Sequence, residues 1–100
     1  MKRTVYKYNL ESHGLTELEM PTDAIPLKLG EQNGIVMWVE VMDPDEAPVR
    51  LRKFLSVFTG ETISLNNRRI EYIDTIQRVN MTDSAAFMPF IVVHVYEVFE

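Results

Sequence analysis

The sequence predicts a mainly β protein: a small antiparallel sandwich or partly open barrel of about seven strands, forming one domain over residues 1–100. Three observations carry this expectation. The chain ends on Phe90-Ile-Val-Val-His-Val-Tyr-Glu-Val-Phe99, a run of β-branched and aromatic residues with few helix formers. Turn signals recur along the chain at roughly ten-residue spacing. No window of about 15 residues places apolar side chains at the three-and-four spacing of an amphipathic helix.

The elements follow in order. Val5 to Leu10 alternates as a first strand, with Tyr6, Tyr8 and Leu10 on one face. Ser12-His13-Gly14 turns the chain into a second strand, Leu15 to Met20, which sets Thr16, Leu18 and Met20 together. Ile25, Leu27 and Leu29 then alternate with Pro26 and Lys28, and Pro26 marks an edge because it cannot donate to a ladder. Asn33-Gly34 favours a turn at positive φ and predicts a hairpin into Ile35 to Met42. Asp43 to Pro48 is an acidic, turn-rich loop. Val49 to Phe58 makes the fifth strand, basic in its first half and apolar in its second. Thr59-Gly60-Glu61 and Asn66-Asn67 are turns around a short extra strand, Thr62 to Leu65. Arg69 to Gln77 is the sixth, with Ile70, Tyr72 and Ile76 on one side and Ile73 on the other. Asn80 to Ala86 is the longest loop, Ser84 to Ala86 winding one helical turn, and Pro89 starts the last strand.

Composition narrows the function classes. A chain of 100 residues with 46% hydrophobic content can bury a core without staples. There is no cysteine, so disulfides and thiolate metal sites are excluded, which suits the cytosol. No run approaches the roughly 20 apolar residues of a membrane span. The residues after Met1-Lys2-Arg3 are too polar for a signal peptide. A net charge of −5 opposes duplex nucleic acid as a partner, since phosphate neutralisation supplies most of that affinity.

Catalytic and metal signatures are weak. His13 sits in a turn, solvated, and His94 lies among valines, where a ring nitrogen bonds a polar neighbour or faces a cavity. Asp43, Asp45 and Glu46 cluster, but Pro48 and Phe54 stand where a calcium loop wants glycine and glutamate. Phe58-Thr-Gly-Glu-Thr62 lacks the lysine and second glycine of a phosphate loop. No serine lies in a nucleophile elbow. No catalytic residue, cofactor or metal is therefore expected, and carboxylates such as Glu40, Asp43 or Asp74 are the only candidates for a small hydrolase.

The informative polar pattern is basic. Arg50, Arg52 and Lys53 open one predicted strand, while Arg68 and Arg69 open another. Should these strands be neighbours, their cations converge on an anion such as a small nucleotide; otherwise they pair with Asp43, Asp45, Glu46, Glu61 and Glu71. Tyr6, Tyr8 and Tyr72 are candidates for a stacking surface beside such a site. Trp38, Met42, Tyr96 and Phe99 are more large apolar groups than one small core readily hides, and they point to an interface between copies of the chain.

A set of short motifs runs through the chain in order: Tyr6-Lys-Tyr8, Met20-Pro21, Gln32-Asn-Gly34, Trp38, Asp43-Pro44, Phe58-Thr-Gly60, Tyr72-Ile-Asp-Thr75 and Ile91-Val-Val-His-Val-Tyr-Glu97. In these the chain resembles a family of short tailed-bacteriophage proteins of unknown function. It departs from that pattern in a longer segment before the last strand and in Val98-Phe99-Glu100 after Glu97. The resemblance implies a phage-encoded accessory protein in the cytoplasm of the infected bacterium and supplies no catalytic residue. The expected function is non-enzymatic: a homo-oligomeric protein that inhibits an anti-phage defence component by binding a host protein or sequestering a nucleotide signal. The alternatives are a structural or assembly component of the virion and the carboxylate hydrolase.

Overall fold

Alternating apolar side chains with short turns between them leave the backbone one economical solution, two layers of paired strands. The computed structural model describes residues 2–79 and 90–99, and these form seven strands and no helix. They are β1 (Arg3–Leu10), β2 (Gly14–Pro21), β3 (Ile25–Glu31), β4 (Ile35–Met42), β5 (Val49–Phe58), β6 (Arg69–Val79) and β7 (Phe90–Phe99). A three-stranded sheet, β1-β4-β3, faces a four-stranded sheet, β2-β5-β7-β6, and every pairing is antiparallel. The fold is a sandwich and not a barrel.

The core lies between the layers. Strand β4, central in its sheet, contributes Ile35, Met37, Val39 and Val41, all sealed from solvent. Opposite them are Met20 of β2, Phe54 of β5, and Val93 and Val95 of β7. The expected inward set of β2, Thr16, Leu18 and Met20, points the same way as Phe54 and Arg52 across the β2–β5 ladder. The predicted hairpin between β3 and β4 is present, with Asn33 and Gly34 at positive φ and the Gln32 amide donating to the Gly34 carbonyl. Ser56 on the inner face of β5 donates to the Glu11 carbonyl at 2.9 Å, tying the β1–β2 crossing to the opposite sheet.

Three sequence expectations need correction. Residues 61–65 form no strand. A bulge falls between Tyr72 and Asp74, so the phase of β6 reverses there. Ile70 and Tyr72 consequently face outward, whereas Ile73 and Ile76 both pack on the core. A second bulge, between Pro26 and Lys28, does the same to β3: Leu29 is buried, while Ile25 and Leu27 are exposed. The bulged edges meet, and Asp74 Oδ2 accepts the Leu29 amide at 3.1 Å, closing that side of the sandwich. The helical turn expected at Ser84 to Ala86 and the strand start at Pro89 lie outside the described residues.

Candidate functional site

The outer face of the four-stranded sheet carries a concavity lined from β2, β5, β6, β7 and the segment between β5 and β6. Period-two alternation turns Lys53, Leu55 and Val57 of β5 away from the core. Leu15 of β2 stands beside Leu55, and Val98 of β7 and Ile70 of β6 continue the row of Lys53. An apolar outer surface of this kind needs a cover, and residues 59–68 provide one.

That segment leaves β5 by a turn in which Gly60 takes φ +95° and the Glu61 amide donates to the Phe58 carbonyl. It re-enters β6 through Asn66 and Asn67, both left-handed, with the Arg68 amide donating to the Leu65 carbonyl. Between these turns it runs irregularly over the sheet, and Ile63 and Leu65 join Leu15, Leu55, Val57, Ile70 and Val98 around a cleft of about 480 Å³. The segment expected as a short extra strand, Thr62 to Leu65, is this irregular cover, and all four of its residues line the cleft.

The two ends of the cleft differ in charge. At one end His13 lies parallel to the Phe58 ring, centroids 4.5 Å apart, and places Nε2 2.7 and 2.9 Å from the two oxygens of Glu61. Glu61 also accepts the Phe58 amide at 2.6 Å. That backbone bond, and secondly the His13 bond, hold its carboxyl below the usual carboxylate range. At the other end the lining residues are Lys53 and Arg68. Lys53 faces Glu17 across the β2–β5 ladder, whereas the exposed Arg68 guanidinium makes no hydrogen bond or ion pair with any described residue.

Of the five cations singled out in the sequence, the structure thus brings two together. The strands that carry them are not adjacent, because β7 lies between β5 and β6. Arg50 is exposed near the start of β5, opposite Met20. Arg69 lies with its guanidinium carbon 4.6 Å from the Phe99 ring centroid and its Nη2 3.9 Å from Glu71 Oε1. Arg52 points into the core and is consumed there: Nε and Nη2 reach Glu97, and Nη1 donates to the carbonyls of Pro21 and Ala24. Four of its five N–H donors are engaged inside the sandwich, and at 5% exposure it does not reach the outer face.

The four expected interface residues are each half-buried, Trp38 against Gly30, Tyr96 edge-on to Tyr72, Phe99 beneath Arg69, and Met42 at the end of β4. The exposed apolar residues lie elsewhere, among them Val5, Ile25, Leu51 and Tyr72. Tyr6 and Tyr8 are on the opposite sheet from Tyr72, so the three tyrosines form no common platform.

The candidate carboxylates are dispersed and occupied. Glu40 lies 3.8 Å from Arg3, Asp43 accepts the Lys2 amide at 2.8 Å, and Asp74 accepts the amides of Leu29 and Thr75. Among the described residues no three His, Cys, Asp or Glu side chains gather as a metal site. His94 sits on the outer face with Nε2 2.8 Å from Thr59 Oγ1 and Nδ1 2.9 Å from Thr75 Oγ1, which in turn meets the Tyr72 hydroxyl at 2.5 Å. His13 and Glu61, which 48 residues separate, carried no sequence signal as a pair.

Among the described residues no helix is long and apolar enough to cross a membrane. No curated protein and no solved structure is matched by the chain. A family model described as a domain of unknown function, DUF7352, matches residues 1–100, and the chain belongs to that family.

Proposed function

We propose that this protein is a non-enzymatic binding protein, encoded by a phage and active in the cytoplasm of the infected bacterium. There it occupies a component of anti-phage defence, acting as a small homo-oligomer. The observation that carries the binding reading is the cleft under residues 59–68, a preformed apolar cavity of about 480 Å³ with cations at one end. Pockets of this size, mostly apolar with a few placed polar groups, are the usual form of a ligand site. The phage setting rests on the resemblance of the ordered motifs from Tyr6-Lys-Tyr8 to His94-Val-Tyr-Glu97.

Two experiments test it. Affinity capture from infected cells is expected to retrieve a host protein that a charge-reversed Arg68→Glu variant retrieves less well. Calorimetry with cyclic nucleotides separates the two modes of action: heat with the wild type favours sequestration of a signal, and its absence leaves the protein partner. Capture of no host protein, with no heat from any nucleotide, removes the proposal.

A further inference from the structure

The lining of the cleft restricts its occupant further, and this step rests on the binding reading above. The apolar part of the lining is aliphatic, formed by Leu15, Leu55, Ile63, Leu65, Ile70 and Val98, with the hydroxyl residues Thr62 and Ser64 between them on the covering segment. Among the described residues no Phe, Tyr or Trp lines the cavity, and the one aromatic ring among them, His13, is already stacked on Phe58. A nucleobase gains much of its affinity by stacking on ring faces, which the described lining does not offer. A saturated chain, by contrast, gains wherever it displaces water from such walls.

Charge sets the orientation. Arg68 presents a guanidinium without a partner among the described residues, in the same cleft as Lys53, at the end where β6 begins. The planar fork of an arginine matches a carboxylate in a two-toothed geometry. At the opposite end stands the Glu61 carboxylate, held ionised by the Phe58 amide and His13. From Lys53 to Val57, along four residues of extended strand, the floor runs roughly 13 Å. A ligand with an anionic head at Arg68 therefore reaches Glu61 with its other end, and a second anion there is repelled.

We infer that the cleft binds an aliphatic monocarboxylic acid of medium chain length, its carboxylate on Arg68 and Lys53 and its chain running toward Glu61. Three probes test this by titration of the full-length protein, followed through the methyl NMR signals of Leu55, Ile63 and Leu65. Octanoate is expected to shift these signals. Octanol, which lacks the anion, and octanedioate, which brings a second one to Glu61, are each expected to bind about tenfold more weakly. Arg68→Glu is expected to weaken octanoate binding at least about tenfold, whereas Lys28→Glu on the other sheet leaves it unchanged.

Octanoate binding no tighter than octanol, or indifferent to Arg68→Glu, overturns the inference. So does a cleft that ignores octanoate but shifts with a cyclic nucleotide, and in that case the binding function stands. If neither probe class binds and no host protein is captured, both readings go.

Discussion

Arg52 holds Glu97 in a two-toothed ion pair, Nε to one carboxylate oxygen and Nη2 to the other, each at 2.7 Å. Both side chains are nearly sealed, at 5% and 6% exposure. The remaining nitrogen of the guanidinium donates to Pro21 and Ala24, so one residue joins β5, β7 and the β2–β3 turn. Burial of two charges is costly, but here each charge has its partners. Breaking the pair from one side strands the other ion: Arg52→Met is expected to lose about 3–5 kcal/mol. The double change Arg52→Met with Glu97→Met should recover much of that loss. Urea denaturation followed by circular dichroism decides, and a single-variant loss below about 1 kcal/mol would deny the pair its structural role.

Gly30 and Trp38 form a second such dependence. A Cβ at Gly30 would stand 2.4 Å from the six-membered ring of Trp38, which lies across the glycine from the neighbouring strand. Gly30→Ala is expected to push the indole off the sheet, at about 1–3 kcal/mol, and to red-shift its emission. Trp38 is the sole tryptophan, so the fluorescence reads that ring alone. In the Trp38→Ala background the same alanine should cost little. Equal costs in both backgrounds would show the contact to be slack.

His94 is bonded through both ring nitrogens, to Thr59 and to Thr75. Thr75→Val removes the middle of this chain and leaves His94 Nδ1 and the Tyr72 hydroxyl without that partner. The expected loss is about 1–2 kcal/mol with the fold retained, read from thermal or urea unfolding. A valine variant as stable as the wild type would mean that solvent replaces these bonds without loss.

Glu61 gives a pH signature. Its carboxyl is held below the usual 4.5 by the Phe58 amide and by His13. A depressed carboxylate favours the folded turn above the ordinary carboxylate range, and that contribution fades as pH falls through the depressed value. The Phe58 amide resonance should therefore titrate with a midpoint under 4.5, and Glu61→Gln should abolish the transition. A midpoint at or above the ordinary value would refute the arrangement. Because Glu61 is exposed, the effect belongs to the turn and to the end of the cleft, not to global stability.

Period-two alternation makes most strands readable in the sequence alone. It is a local property, and β4 with Ile35, Met37, Val39 and Val41 inward needs nothing else. The Asn33-Gly34 turn was readable for the same reason, since positive φ is decided by the residue itself. Alternation fails where a partner strand imposes an extra residue. At Ile73 the ladder passes from Tyr72–Tyr96 directly to Asp74–Val95, and nothing in β6 alone announces that slip.

The candidate site divides along the same line. Arg68 and Lys53 stand out in the sequence as members of basic clusters, and their residue types already favour an anion. Which cations converge depends on strand order, on alternation about β5, and on the path of residues 59–68 over the sheet. Those choices sent Arg52 inward to Glu97 and Lys53, its neighbour, outward into the cleft. Adjacent residues on a strand face opposite ways, and only the packing of the second sheet decides which face is the inside.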